Sequence, residues 1–249
     1  MMLLPSVPLL EQAALFLDVD GTLVPLAPTP EAVYFDAELK ELLAELYEAT
    51  GQALCLVSGR DQRSLEQLCG SLDLPLIGCH GATIRLLQPA LQWSAPIDFD
   101  CHQQLIHTCT QWCDTKEGVR VEPKSHSIAI HYRAQPHYRA AIYAFLTELV
   151  EVYPEYVVVA GKCVWELRQA YFNKATAIAQ LLQTLPFKDR LPIMIGDDVT
   201  DEPAFAWTNT QGGLSIHVGS STQTCARYKV ASPEALRHLL GRWLHLANA

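Results

Sequence analysis

Residues 13–22 read AALFLDVDGT, an apolar run followed by two aspartates. The five apolar residues at 13–17 are typical of a strand that is buried on both faces, as in a parallel sheet. Asp18 and Asp20 follow directly and stand two positions apart, so their side chains should project to the same side of the chain. Ligands of open α/β sheets bind at the carboxyl ends of the strands. The two carboxylates are therefore placed for a functional site.

The sequence on either side of this stretch alternates strands with helices. A helical spacing of leucines starts after Asp36, a good N-cap, and stops before Gly51, a good C-terminal residue. Polar residues follow two more apolar runs: Ser58-Gly59-Arg60 after ALCLV (53–57), and GDDVTDE (196–202) at the end of LPIMIG (191–196). This order predicts an α/β core with a parallel sheet and right-handed crossovers.

The middle of the chain follows a different pattern. SIAIHYR (127–133) alternates between apolar and polar residues, which indicates a half-buried strand. YVVVA and CVWEL flank Gly161-Lys162 and predict a hairpin or two adjacent strands. We therefore expect a core of residues 1–96 and 169–249, interrupted by an α+β insert of residues 97–168.

Charge and composition narrow the classes of partner. The 249 residues include 18 Lys and Arg against 27 Asp and Glu, a net charge of −9. A field of that sign repels nucleic acids and anionic lipids, so we expect no nucleic-acid and no membrane partner. The apolar N-terminal segment is short and is interrupted by Pro5 and Pro8, so it predicts neither a signal peptide nor a membrane span. The eight cysteines form no C-x-x-C pair, which favours reduced thiols in a cytoplasmic protein. A monomer is the favoured oligomeric state.

Each polar cluster also has a purely structural interpretation. Asp and Gly favour turns, and acids stabilise helix N-termini. The three clusters nevertheless occur in one chain, each directly after a predicted strand, which favours a functional site. The acids at 197, 198 and 201 are costly to place together unless a cation neutralises them, and oxygen ligands of this kind favour Mg²⁺.

The motifs identify a superfamily. DVDGTL (18–23), SGR (58–60), a later lysine and GDDVTD (196–201) resemble, in order and spacing, the haloacid-dehalogenase-type phosphatases that carry a cap between the second and third motifs. GCHGATIR (78–85), VEPKSHSIAIHYR (121–133) and GKCVWELR (161–168) narrow the resemblance to the trehalose-phosphate phosphatases, from about Leu15 to Val218. The resemblance implies a Rossmann-like core with a parallel sheet, an inserted α+β cap, and hydrolysis of trehalose 6-phosphate.

The chemistry and the resemblance together imply roles for the core residues. Asp18 would be the nucleophile that forms an aspartyl-phosphate, and Asp20 would act as general acid and then as general base. The phosphoryl oxygens would be bound by Thr22, Ser58 and Lys174. Mg²⁺ would be held by Asp18, by the main-chain carbonyl of Asp20 and by Asp197, with Asp198 and Asp201 ordering their surroundings.

The resemblance also implies a set of substrate contacts, in which Arg133 would help to orient the phosphate or the cap. These would be Arg60, His80 and Gly81 in the core, and Glu122, Lys124, Arg133, Lys162 and Glu166 in the insert. Interleaved acids and bases suit a polyhydroxylated sugar, although a solvated sheet face with cross-strand ion pairs would have the same pattern. Gln169 and Ala175 depart from the family pattern, which has proline and glycine there. Seven histidines join no ligand-spaced cluster and are interpreted as surface or core residues: His102, His107, His126, His137, His217, His238 and His245.

Two alternatives stay open. A phosphatase for another phosphosugar, such as a sucrose- or mannosylglycerate-type phosphate, would carry the same core motifs. A regulator that binds a phosphosugar without turnover would be expected to lack the nucleophile or the acid, and both are present at Asp18 and Asp20.

Overall fold

The computed structural model describes residues 9–27, 29–161 and 163–247. The chain divides into two compact units. The core comprises the described residues up to Trp93 together with those from Asn173 onward, and the insert is Ser94–Phe172. The bounds expected from the sequence, 97 and 168, lie a few residues inside the insert.

The helices and strands follow the chain in this order: β1 (Ala13–Asp18), α1 (Ala37–Ala49), β2 (Leu54–Val57), α2 (Gln62–Cys69), β3 (Leu76–Gly78), β4 (Thr83–Leu86), β5 (Leu91–Ser94), α3 (Phe99–Cys113), β6 (Arg120–Pro123), β7 (Ser127–His131), α4 (Arg139–Val152), β8 (Tyr156–Gly161), β9 (Val164–Gln169), α5 (Lys174–Leu181), β10 (Leu191–Gly196), α6 (Glu202–Thr210), β11 (Leu214–Val218), β12 (Tyr228–Val230) and α7 (Pro233–Ala247). Short 3-10 turns lie between several of them. None of the helices in the described part of the chain has the length and apolar character needed to cross a bilayer.

The core contains an eight-stranded sheet in the order β12-β11-β10-β1-β2-β3-β4-β5. The six strands from β12 to β3 run parallel, and β4 pairs antiparallel with β3. From β1 the chain moves to β2 and β3 on one side, and it later returns to β10 on the other side. The strand order therefore reverses between β1 and β10, which is where open α/β sheets bind their ligands.

Helices cover both faces of this sheet. Leu15 and Leu17 of β1 belong to one apolar cluster, with buried side chains of α1, α2 and α7, whereas Phe16 belongs to a second cluster with α5 and α6. Burial on both faces explains why β1 is a continuous apolar run rather than an alternating one. The predicted α/β fold class is confirmed.

The first core helix shows how local sequence sets the element ends. The Asp36 side chain accepts a hydrogen bond from Leu39 N–H at 2.7 Å and so caps α1. Gly51, just past the end of α1, has a φ of +54°, a left-handed conformation that glycine adopts without strain. Both ends of α1 lie where the sequence predicts them.

The insert is a two-layer α+β unit. Its four strands are antiparallel and lie in the order β6-β7-β9-β8. One face of the sheet packs on α3 and α4, with Ile128, Ile130 and Leu167 against Leu105 and Ile142. The pairing of β8 with β9 is the one that the sequence predicts. The opposite face carries the polar residues of the alternating strands.

Candidate active site

Asp18 is the last residue of β1 and lies at the carboxyl edge of the core sheet. Its side chain is buried, and both of its carboxylate oxygens accept hydrogen bonds: Oδ1 from Lys174 Nζ at 2.6 Å and Oδ2 from the Thr22 hydroxyl at 2.9 Å. Gly21 precedes Thr22 with a φ of +89°, and a Cβ there would collide with the Asp197 carboxylate. The turn after β1 therefore needs glycine to bring Asp18 and Asp197 together.

Lys174 is the first residue of α5, which Asn173 caps by accepting a hydrogen bond from Thr176 N–H at 3.1 Å. The lysine is fully buried, and its ammonium lies 2.6 Å from both Asp18 Oδ1 and Asp201 Oδ1. Burial lowers the pKa of Lys174, but the carboxylates of Asp18 and Asp201 raise it by more, so the net shift is upward. The lysine is a fixed positive charge beside Asp18.

Asp201 organises the loop that follows β10. Its Oδ2 accepts hydrogen bonds from the main-chain N–H groups of Asp197 at 3.1 Å and Asp198 at 3.0 Å. A Cβ at Gly196 would collide with the Asp201 carboxylate, so the close approach of loop and side chain requires glycine. Asp198 in turn accepts from Val199 N–H at 2.7 Å. Asp198 and Asp201 thus hold the loop, and with it Asp197.

Three carboxylates converge on this edge of the sheet. One oxygen from each of Asp18, Asp197 and Asp201 lies within 4.8 Å of the others. Burial raises the pKa of Asp18 well above its ordinary value; Lys174 opposes this shift, whereas Asp201 and Asp197 add to it. Three carboxylates lie together here, and Lys174 pairs with two of them, Asp18 and Asp201. The charge and the oxygen donors fit a hard divalent cation.

Asp20 is paired with Arg60. The Nε and Nη2 atoms of Arg60 donate to the two carboxylate oxygens of Asp20, each at 2.7 Å. The Arg60 main-chain N–H donates to the hydroxyl of Ser58, which is buried. The Asp20 side chain is therefore bound by the Arg60 guanidinium and is not part of the cluster formed by the Asp18, Asp197 and Asp201 carboxylates.

His80 and Gly81 lie beside the Ser58–Arg60 turn. The N–H of Cys79 donates to Arg60 O at 2.8 Å, and the N–H of His80 donates to Ser58 O at 3.0 Å. Gly81 has a φ of +110°, and a Cβ there would collide with the Asn173 carbonyl at the start of α5. The core residues predicted to bind the phosphosugar thus lie next to the groups around Asp18.

The polar face of the insert sheet carries a second group. Glu122, Ala129 and Glu166 are register partners on β6, β7 and β9, so their side chains share one face. Glu166 is buried, and its Oε1 accepts from the Ser127 hydroxyl at 2.6 Å and lies 3.3 Å from Lys124 Nζ. Glu122 Oε2 lies 2.7 Å from His131 Nε2, a bond that lowers the pKa of Glu122.

The model of the trehalose-phosphatase family matches residues 16–234. The chain belongs to this family. It is therefore an enzyme of the phosphoric monoester hydrolase class, and the resemblance predicted from the motifs is confirmed.

Relatives of this trehalose-phosphatase family member match along most of their length. A probable trehalose-phosphate phosphatase of Sinorhizobium fredii is 37% identical over 235 residues, which cover 93% of this chain and 87% of the relative. The trehalose-6-phosphate phosphatase of Escherichia coli is 33% identical, with 88% and 81% covered. Among solved structures, a trehalose-6-phosphate phosphatase related protein has a TM-score of 0.75 at 28% identity, with 94% and 98% covered. A haloacid dehalogenase-like hydrolase of B. subtilis, 12% identical with a TM-score of 0.67, shares the fold over 92% and 99% of the two chains.

The structure of this chain brings most of the predicted site residues into two groups, one in the core and one in the insert. The core group contains Asp18, Thr22, Lys174, Asp197, Asp198 and Asp201, with Asp20, Ser58, Arg60, His80 and Gly81 alongside. The insert group contains Glu122, Lys124 and Glu166. Arg133 is exposed and lies beyond the end of β7, and Lys162 lies outside the described residues.

Sequence reasoning missed three contacts of these groups. Ser127 binds Glu166 and His131 binds Glu122, and the alternation of β7, which puts Ser127 and His131 on the polar face, was the signal for them. The direct bond of Asp201 to Lys174 was also missed. Its four-residue spacing from Asp197 gave no indication of a lysine partner.

Proposed function

We propose that this enzyme hydrolyses trehalose 6-phosphate to trehalose and phosphate through an aspartyl-phosphate on Asp18. The observation that carries the proposal is the pairing of a buried strand-end carboxylate with a fully buried ammonium at 2.6 Å, with a second aspartate two residues further on. The names of the relatives supply the substrate. A cytoplasmic location belongs to the same proposal and is supported by eight cysteines that are all free thiols.

In the first step, a carboxylate oxygen of Asp18 attacks phosphorus and the bond from phosphorus to the sugar oxygen breaks. Asp20 donates its proton to the leaving sugar oxygen. An ammonium has three N–H donors, and two of those on Lys174 face Asp18 and Asp201, so we assign the third to a phosphoryl oxygen. The Ser58 hydroxyl can donate to another. The Thr22 hydroxyl donates to Asp18 in this structure and would have to rotate to serve the phosphoryl group.

In the second step, Asp20 removes a proton from water and the resulting hydroxide attacks the aspartyl-phosphate. The bond between phosphorus and Asp18 breaks, which restores the Asp18 carboxylate and the protonated Asp20. Lys174 stays charged throughout, because the carboxylates of Asp18 and Asp201 raise its pKa. Two displacements with one acid-base residue replace one slow direct hydrolysis.

Mg²⁺ fits the acidic group of the core. We assign the ion to Asp18, Asp197 and the main-chain carbonyl of Asp20, the ligands that the family motif implies. Asp201 lies in the same group, where one of its oxygens binds Lys174 and the other binds two main-chain N–H groups of the loop. Bound there, the ion would supply Lewis-acid stabilisation of charge on the phosphoryl oxygens. Asp198 and Asp201 would keep Asp197 in place for it.

The insert is proposed to be the part that recognises the sugar. Glu122, Lys124 and Glu166 offer acceptors and a donor on one sheet face, which suits hydroxyl groups that both donate and accept. Arg133 and Lys162 are retained as proposed contacts from the family motif. The cross-strand pairs of Lys124 with Glu166 and of Glu122 with His131 would also stabilise the sheet without any ligand, as the alternative interpretation holds.

The test is phosphate release from a panel of phosphosugars, with and without Mg²⁺. We expect trehalose 6-phosphate to be turned over with the highest kcat/KM, and Asp18→Asn to reduce release to background while its circular dichroism stays that of the wild type. Asp114→Asn, at an exposed carboxylate beyond α3, is the matched control and should keep full activity. A higher kcat/KM for a sucrose- or mannosylglycerate-type phosphate would establish the alternative phosphatase, and binding without any turnover would establish the regulator.

A further inference from the structure

The turn of Lys124, Ser125 and His126 joins β6 to β7. It carries Lys124, whose ammonium pairs with Glu166 in the proposed sugar site. The turn is closed by a hydrogen bond from Lys124 N–H to Ser127 O at 2.9 Å. Any group that fixes this turn also fixes where the Lys124 side chain starts. Two buried histidines contact it.

His102 reaches the turn from α3. It is only 2% exposed, its Nε2 lies 2.9 Å from Lys124 O, and its Nδ1 lies 3.2 Å from the Tyr156 hydroxyl. Because a carbonyl only accepts, Nε2 carries the hydrogen and Nδ1 accepts from Tyr156. Burial raises the pKa of Tyr156 to about 12, so its hydroxyl remains a donor. The ring therefore links the turn to both α3 and β8.

His126 ties the turn to the start of the insert. It is 5% exposed, and its Nε2 lies 3.1 Å from Ala95 O and 3.0 Å from Ser94 Oγ. Its Nδ1 accepts from the Ser125 hydroxyl at 3.0 Å, inside the turn itself. Burial lowers the pKa of His126, so the ring stays neutral and keeps this pattern of donor and acceptor.

These contacts are more specific than core packing requires. An apolar side chain of similar size would fill the space under the turn, but it would leave the Lys124 carbonyl and the Tyr156 hydroxyl without these partners. Both ring nitrogens of each histidine make hydrogen bonds. His102 binds the main chain of the turn and Tyr156, and His126 binds Ser125 in the turn and Ala95 at the start of the insert. Precise placement of the turn matters because the Glu166 carboxylate must meet Lys124 and Ser127 together.

We infer that His102 and His126 are positioning residues of the sugar site: they fix the Lys124 turn, and thereby the Lys124–Glu166 pair, for recognition of the sugar. The inference rests on the proposed function of the insert. Neither histidine touches the phosphate chemistry of the core, so both should affect the sugar-bearing substrate selectively.

The experiment compares His102→Ala, His102→Gln and Ile142→Val with the wild type. His102→Gln places an amide N–H near the position of Nε2, and Ile142→Val trims the buried face of α4 without contacting the turn. For His102→Ala we expect KM for trehalose 6-phosphate to rise about tenfold with little change in kcat, while kcat/KM for a small aryl phosphate stays within about twofold. His102→Gln should restore most of the loss, and Ile142→Val should leave both substrates unchanged.

Hydrogen exchange of the Lys124 amide provides a readout that needs no substrate. We expect it to be faster in His102→Ala and near the wild-type rate in His102→Gln and Ile142→Val. Equal losses on both substrates, an unchanged KM, or unchanged exchange in His102→Ala would overturn the inference. A wild-type enzyme that hydrolyses the aryl phosphate but not trehalose 6-phosphate would overturn the proposed function instead. The same measurements at His126 should follow those at His102.

Discussion

Arg60 holds both oxygens of Asp20, which is the proposed acid of the first step. The guanidinium fork binds both oxygens and fixes the position of the carboxylate, so we expect Asp20 to leave this pairing in order to reach the leaving group. An incoming phosphate competes for the same fork, since guanidinium binds phosphate and carboxylate in the same bidentate way. Arrival of the substrate would then free the acid at the moment when it is needed.

Arg60→Lys tests this exchange of partners. Lysine keeps the charge but lacks the fork, so we expect kcat/KM to fall about tenfold for trehalose 6-phosphate and for a small aryl phosphate alike. Steady-state kinetics on both substrates measure the effect. The control is Arg85→Lys, which alters the pairing of Arg85 on β4 with Asp73. It should leave kcat/KM for both substrates unchanged. A loss confined to trehalose 6-phosphate would assign Arg60 to the sugar and not to Asp20.

Ion pairs of this kind could not be predicted from the sequence, although the position of the site could. Strand ends were predicted to converge because parallel strands share an edge, and Asp18, Ser58 and Asp197 do lie there. The pairing of Asp20 with Arg60 spans 40 positions and that of Lys174 with Asp18 spans 156, so no local spacing encodes either. Which carboxylate meets which cation is decided by side-chain direction within the folded edge.

Among the helices, α1 is stabilised by Asp36 in two ways, as a helix cap and as an ion-pair partner. Asp36 caps the helix through Leu39 N–H, and it also lies 2.6 Å from Arg237 of α7. The hydrogen bond from Arg237, with that from Leu39, lowers the pKa of Asp36 below its ordinary 3.8. The folded state therefore binds this proton less tightly than the unfolded state, and the stabilisation is present above pH 3.8 and lost as the pH falls below it.

Asp36→Ala should lower the free energy of unfolding by about 1 kcal/mol for the lost cap, with at most about 0.5 kcal/mol more for the exposed ion pair. Urea denaturation at neutral pH measures the difference. Asp61→Ala is the matched control, because Asp61 caps α2 through Ser64 N–H at the same distance of 2.7 Å. The gap between wild type and Asp36→Ala should close as the pH falls below 3.8; a gap that persists there would contradict the role of the ionised carboxylate.

The elements that the sequence did not predict are the short ones. β1, β2 and β10 were found because burial on both faces makes them continuous apolar runs. β5 is largely exposed, and β12 has only three residues at the sheet edge, so neither leaves a hydropathy pattern. Edge strands owe their structure to hydrogen bonds with a neighbour, which composition does not record.

At the scale of the whole molecule, the net charge of −9 has a local counterpart. The overall sign opposes an anionic substrate, but the buried Lys174 and the half-buried Arg60 lie at the edge of the sheet where Asp18 ends β1. The same edge holds the three neighbouring carboxylates of Asp18, Asp197 and Asp201, whose oxygen donors favour a divalent cation. The net charge therefore disfavours polyanionic partners, whereas the cations at this edge can attract a single phosphate group.

Binding of Mg²⁺ at this edge should stabilise the folded chain, because the unfolded chain does not bring Asp18 and Asp197 together. At about 100 times the dissociation constant the gain is about 2.7 kcal/mol, and each kcal/mol raises Tm by about 2–4 °C in a protein of this size. Asp197→Asn should abolish most of the rise, whereas Asp73→Asn, at an exposed surface pair, should keep it. KCl at matched ionic strength separates specific binding from screening of the net charge. An equal rise with KCl, or an undiminished rise in Asp197→Asn, would show that the ion does not bind through these carboxylates.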